Sequence, residues 1–229
     1  MVIKEDLEQA VYEVSNVTRR EVKQRTRGPF TTSTLQQQAA RSFRFSAART
    51  MRIAQDLYEG IVQENSEPDG LITYMRTDST NLAENALVEA EKFIITKYGS
   101  DYSSGPRRYK TNSKSAQEAH EAVRPTSIEN TPEKVARYLS SEQLRLYTMI
   151  WKRTVASQMT DAIVDNTGVD IKAVAINGKE YIVRATGSVI KFDGYRKLYI
   201  ETRDEDAQND ESAQLPLMQE GDSLEKQTI

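Results

Sequence analysis

The apolar residues of this chain change their spacing twice, and that change constrains the fold more than any other feature. From Val11 to Arg27 the sequence alternates over short distances and holds no helix-length apolar stripe, which favours an extended strand ended by Gly28-Pro29. Helical spacing takes over from about residue 34. Thr34 to Arg41 and Ala47 to Glu59 carry helix formers. The second has Ser46 as N-cap, Gly60 past its end and Ala47, Met51, Ala54 and Tyr58 on one face. A third helix is expected from Asn81, which caps while Glu84 reaches back, with Leu82, Ala86, Leu87, Ala90, Phe93 and Ile94 inward as far as Gly99. Ser115 to Arg124 reads as helix up to Pro125; Thr131-Pro132 opens another, and Glu142 to Met159 a long one.

From Ala162 the two-residue period returns through Ile163, Asp165, Thr167, Val169 and Ile171. Asn177-Gly178 is a hairpin signal before Tyr181-Ile182-Val183, and Val189 to Phe192 and Lys197 to Glu201 read as two further strands. The expected class is therefore α+β: a β-rich module from residues 1–33 and 161–229, antiparallel and discontinuous, with a helical domain of residues 34–160 inserted into it. Leu71-Ile72-Thr73-Tyr74 is too short for a helix and reads as a short strand or loop. No apolar stretch approaches the roughly eighteen residues of a membrane span. The chain has no cysteine, which excludes disulfides and thiolate metal sites and fits a reducing cytoplasm.

Charge is segregated along the chain. Residues 18–52 hold nine basic side chains against Glu21 alone, whereas residues 201–229 hold nine acidic against two basic, with 204–214 expected as an acidic loop. That asymmetry points to an anionic partner for the first region, although two solvated faces of opposite sign would look the same.

Two clusters carry chemistry. Gly70 to Asn81, GLITYMRTDSTN, packs a phenol, a guanidinium, a carboxylate and several hydroxyls into a dozen residues. A tyrosine attacks phosphate only if its proton, held with an ordinary pKa near 10, is removed or positive charge stands nearby. Arg76 can supply such charge and can fork onto phosphodiester oxygens. Tyrosine beside arginine is also what a packed strand with a solvated neighbour looks like. In the second cluster Gln117, His120, Glu121 and Arg124 share one face if the segment is helical. His120 is the one histidine, so a two-histidine metal site is excluded; a phosphate contact tuned by a carboxylate such as Asp78 fits better than a hydrolytic triad, and an ordinary surface histidine remains open.

PFTTSTLQQQA (Pro29 to Ala39), GLITYMRTDSTN and QEAHEAVRPT (Gln117 to Thr126), in this order and spacing, resemble the type IA DNA topoisomerases, with Met75 similar to the bacterial topoisomerase I branch. The resemblance implies that the β module belongs to the arch of a toroid. It implies that Tyr74 becomes linked to a 5′ phosphate of a cut single strand and that Arg76 contacts DNA at the scission site. His120 and Arg124 are implied to face DNA with Asp78 beside His120, and Lys114, Gln117 and Arg41 join as further DNA contacts. It also implies Mg2+ held by an acidic D-x-D-x-E cluster on a TOPRIM domain that should precede this region, with single-stranded DNA and the enzyme's other domains as partners and a place at the bacterial nucleoid. Asp204-Glu205-Asp206 does not supply that cluster, because Gln208 stands where its glutamate belongs; no metal or cofactor is expected in this chain itself. The rival readings are a non-catalytic single-stranded DNA-binding module and a protein-interaction scaffold.

Overall fold

The computed structural model of the chain describes residues 2–60, 70–109, 121–199 and 215–225, which group into two compact units. One holds the described residues up to Gln24, Ala162–Phe192 and 215–225; the other holds those of Arg25–Asp161 and 193–199. Residues 25–33 and 193–199 thus group with the helices.

The first unit is an antiparallel sheet in the order β3-β2-β1-β4, preceded by a short helix α1 (Val2–Glu8) that the sequence pattern did not announce. β1 (Val11–Gln24) pairs with β2 (Ala162–Val174) from Val11 opposite Val174 to Gln24 opposite Ala162, with one irregularity between Val14 and Asn16. β3 (Glu180–Phe192) pairs with β2, and β4 (Ser223–Leu224) covers only Tyr12 and Glu13 of β1. Asn177-Gly178 does form the hairpin turn: Gly178 sits at φ +79°, its N–H donates to the Ala175 carbonyl at 2.9 Å, and Asn177 Oδ1 accepts from Lys179 N–H at 3.0 Å. The two strands expected at 181–183 and 189–192 are one continuous β3, because its pairing with β2 bridges the polar middle of the run; at Lys197 the chain is a 3-10 turn (Gly194–Lys197), not a strand. Asp6 of α1 accepts from Tyr181 and Asn177 and pairs with Lys179 at 3.5 Å. The Tyr181 hydroxyl, followed by Lys179, holds the Asp6 carboxyl below its ordinary value against the opposing cost of desolvation. The acidic run expected as a loop at 204–214 lies outside the described residues.

The second unit is helical: α2 (Thr32–Phe43), α3 (Ala47–Glu59), α4 (Glu84–Tyr98), α5 (Pro132–Val135) and α6 (Ser141–Gln158). α6 is its axis. Leu146, Tyr147, Ile150, Trp151 and Val155 on α6 meet Phe30, Leu35, Ile53, Leu57, Leu71, Ile72, Met75 and Ile94 in one apolar core. Burial pushes the Tyr147 phenol well up from its ordinary value, and its hydroxyl donates to the Asn130 carbonyl at 2.5 Å. Arg153 is also buried; its guanidinium stacks over Phe30 and Tyr199 and donates to the Gly28 carbonyl at 2.7 Å.

Three local expectations need correction here. The inward face of α3 is Thr50, Ile53, Ala54 and Leu57; Tyr58 is instead exposed. α4 begins at Glu84 after Ala83, without a cap from Asn81, whose own N–H is taken by Ser79 Oγ at 3.1 Å. Residues 121–124 are extended rather than helical. Their N–H groups go across the chain, from Ala122 to Asn81 O and Val123 to Phe30 O, both at 2.8 Å, and from Arg124 to Thr73 Oγ1 at 3.0 Å, so no helical ladder can form there.

Candidate active site

The TTST run at the start of α2 divides its hydroxyls between two tasks. Thr31 caps the helix, accepting from Thr34 N–H while Thr34 Oγ1 accepts from Thr31 N–H at 2.9 Å. Thr32 reaches away from the helix to the 75–77 backbone. Its hydroxyl donates to the Met75 carbonyl at 2.7 Å and leans toward that of Thr77 at 3.0 Å, while accepting from Thr77 N–H at 2.8 Å; its own N–H donates to Thr77 O at 2.8 Å. One side chain therefore fixes the backbone on both sides of Arg76.

The same segment is held at its start. Leu71 N–H donates to Leu57 O at the end of α3 at 2.8 Å, Thr126 N–H donates to Leu71 O at 3.0 Å, and Thr73 N–H donates to Arg124 O at 2.9 Å. Thr73 Oγ1 donates to Ala122 O at 2.6 Å. Gly70 is required where it stands, since a Cβ there would lie 2.5 Å from the Tyr58 carbonyl oxygen. Residues 71–79 thus form a non-helical segment, bent at Leu71 and Met75, between the entry to α2 and the 121–126 strand-like segment, with Ile72 bridged to Pro125.

Met75 and Ser79 point in and are buried, while Tyr74, Arg76 and Asp78 are exposed. Residues two apart in a chain stand at most about 7 Å apart at their backbones, within reach of one phosphodiester through their side chains. The Tyr74 ring is 44% exposed and meets the Tyr58 ring edge-on, with centroids 5.4 Å apart and planes at 63°.

Arg124 lies elsewhere than the sequence pattern suggested. It is 7% exposed, its Nε and Nη2 donate to Glu121 Oε2 at 3.1 and 2.7 Å, and its Nη1 donates to the Pro125 carbonyl at 2.9 Å. Glu121 Oε1 meanwhile accepts from Ala83 N–H, taking the place of the helix's own capping residue at the start of α4. The pair ties the 121–126 segment to α4 and so backs the Tyr74 segment. Arg41 is exposed in the last turn of α2, nine residues and about 13 Å of helix beyond Thr32. Lys114, Gln117 and His120 lie outside the described residues, and with them the expected pairing of His120 with Asp78. Thr32 and Tyr58 were not singled out from sequence. The TTST run held a signal for the first, one more hydroxyl than a helix cap needs. Among the described residues no three His, Asp or Glu side chains converge in a way that could hold a metal ion.

The fold and this segment define a member of the DNA topoisomerase family: the sequence model of that description matches residues 1–229, so the chain belongs to it. It is 48% and 47% identical over 219 residues to DNA topoisomerase 1 of two Xylella fastidiosa strains, Temecula1 / ATCC 700964 and 9a5c, covering 94% of this chain and 26% of each relative. The full-length topoisomerase I of Thermotoga maritima, solved in a monoclinic crystal form, superposes with a TM-score of 0.81 at 34% identity over 97% of this chain and 34% of that one. The chain therefore spans about a quarter of the length of the Xylella relatives. No helix among its described residues is long and apolar enough to cross a membrane.

Proposed function

We propose that this chain carries the tyrosine of a type IA DNA topoisomerase, which cuts one DNA strand and reseals it. The Tyr74 hydroxyl oxygen attacks a backbone phosphorus; the phosphotyrosine bond forms at the 5′ phosphate, the bond from phosphorus to the 3′ oxygen breaks, and the phenol's proton ends on the 3′ hydroxyl. Resealing runs the same step backwards. One ester replaces another, so the energy of the broken bond is retained and no nucleotide cofactor is needed. Arg76 forks onto the non-bridging oxygens as charge builds there. Asp78 stands on the same exposed side, and Arg41, Lys114, Gln117 and His120 are assigned to the DNA path on the strength of the resemblance. Arg124 supports the segment from behind.

The observation that carries this reading is the outward alternation of Tyr74, Arg76 and Asp78 on a backbone clamped by Thr32, Thr73 and Leu71. A nucleophile and its cation carried two residues apart on a fixed backbone have the positions of their backbones settled before DNA arrives. In the whole protein we assign single-stranded DNA as substrate, relaxation of negative supercoils as outcome and nucleoid DNA in the bacterial cytoplasm as its place. On the strength of the resemblance we assign Mg2+ to an acidic TOPRIM domain elsewhere in that protein.

The test is a suicide oligonucleotide incubated with full-length enzyme, followed by denaturing electrophoresis. The parent should form a covalent adduct and Tyr74→Phe none. An adduct that survives Tyr74→Phe removes Tyr74 from its role, and salt-sensitive binding by the parent with no adduct leaves a DNA-binding module. The 229-residue chain alone should bind weakly and not relax supercoiled plasmid.

A further inference from the structure

The clamp that fixes the Tyr74 backbone does not by itself orient its ring. The ring is half in solvent, and its aromatic neighbour is Tyr58, itself 40% exposed in the last turn of α3. α3 buries Thr50, Ile53, Ala54 and Leu57, so Tyr58 is not part of the helix's core face. A large aromatic at that helix position contributes little to the core, and its edge-on contact with Tyr74 is what distinguishes it.

The backbone that carries Tyr58 is also fixed against the start of the Tyr74 segment. Leu57 O, one residue back, accepts from Leu71 N–H at 2.8 Å, and the Tyr58 carbonyl lies so close to Gly70 that a Cβ there would come within 2.5 Å of it. The end of α3 and the start of the Tyr74 segment thus meet backbone to backbone. The Tyr58 ring stands on a fixed support, and the Tyr74 ring leans against it.

We propose that Tyr58 is a positioning residue for strand cleavage: its ring confines the Tyr74 ring to the orientation from which the hydroxyl meets an incoming phosphate. This rests on the reading of Tyr74 as nucleophile. The confinement matters before cleavage, while the ring is free to turn. Once the phosphotyrosine has formed, the ester bond itself holds the ring, so resealing depends far less on Tyr58. An edge-to-face pair biases an equilibrium by about two- to tenfold, which sets the size of the effect. The hydroxyl of Tyr58 is not needed for it; the ring is.

The experiment uses full-length enzyme with Tyr58→Ala, Tyr58→Phe and Tyr74→Phe, and a suicide oligonucleotide for single-turnover cleavage at saturating DNA. Rates are taken from the exponential phase, so that any misfolded fraction lowers amplitude and not rate. DNA affinity is measured by fluorescence anisotropy, and resealing by adding an acceptor strand to preformed adduct. Tyr58→Ala should slow saturated cleavage about two- to tenfold while affinity and resealing stay within about twofold, and Tyr58→Phe should cleave at the parental rate. Saturated cleavage by Tyr58→Ala at the parental rate overturns the proposal. So does weakened affinity with an unchanged saturated rate, which would make Tyr58 a DNA contact, and so does an equal loss in Tyr58→Phe. An adduct in Tyr74→Phe would instead overturn the underlying assignment of the nucleophile.

Discussion

Replacing Thr32 by valine tests the clamp, because the two side chains have the same shape and differ by a hydroxyl. The Thr32 hydroxyl donates to Met75 O at 2.7 Å, with Thr77 O at 3.0 Å sharing that proton, and accepts from Thr77 N–H at 2.8 Å. Thr77 O keeps the Thr32 N–H at 2.8 Å in the variant, so the groups that lose a partner are Met75 O and Thr77 N–H. Two hydrogen bonds at about 1 kcal/mol each give a loss of about 2 kcal/mol, with half-buried Thr77 N–H open to a compensating water and Met75, being buried, less so. That corresponds to a fall of about 4–8 °C in the unfolding midpoint for a unit of this size. Trp151, the one tryptophan of the chain, is buried in the same unit, so its fluorescence reports this unit's unfolding in heat and urea. Thr32→Ser keeps the hydroxyl and drops one methyl, and should cost less than about 1 kcal/mol. A valine variant within about 0.5 kcal/mol of the parent, or a serine variant as damaged as the valine one, would show that the Thr32 hydroxyl does not hold the segment.

Gly70→Ala should destabilise the helical unit by about 1–3 kcal/mol in urea, since its Cβ meets backbone and not a movable side chain; a neutral result would mean that the contact with Tyr58 relaxes freely. Glu121→Ala leaves the Arg124 guanidinium buried without its carboxylate and should cost about 3 kcal/mol, whereas Glu121→Ala with Arg124→Met should recover part of that loss; a double variant worse than the single by the full cost of Arg124→Met alone would deny the coupling. Burial lifts the Tyr147 and Tyr109 phenols, so the unfolded chain loses these protons first as pH rises. Their stabilisation is complete below about pH 10 and declines above it, and Tyr147→Phe should make the alkaline fall in urea midpoint shallower; an unchanged slope would place that sensitivity in other groups.

How far the sequence could be read depended on the range of the interaction. α3 was legible to the residue, from Ser46 accepting the Arg49 N–H to Gly60 beyond Glu59, because both stops are written in neighbouring residues. So was the turn at Asn177-Gly178. The split of β3 into two strands left Arg184 to Ser188 unassigned. In fact β2 residues from Asp170 to Asn166 pair with it directly, and partners distant in sequence leave no local trace. α4 failed the same way at its start, where the capping carboxylate comes from Glu121 and not from Glu84, which forms an ion pair with Arg108 at 2.7 Å.

The candidate site shows the same division within single motifs. Tyr74, Arg76 and Asp78 could be singled out because the chemistry of neighbouring side chains is a local property. Their outward direction follows once Met75 and Ser79 are buried. Arg124 could not be assigned that way. Under a helical period it shares an exposed face with Glu121 and Gln117, and a phosphate contact follows naturally. The N–H groups of 122–124 are instead claimed by Asn81, Phe30 and Thr73, so the backbone is extended and the guanidinium turns back onto Glu121 and the Pro125 carbonyl. A buried arginine with its donors engaged in this way cannot also fork onto a phosphodiester without breaking the pair that holds the 121–126 segment. Of the two arginines Arg76 is the exposed one, and Arg124, held by Glu121, secures the 121–126 segment whose backbone pairs with Leu71 and Thr73 ahead of Tyr74.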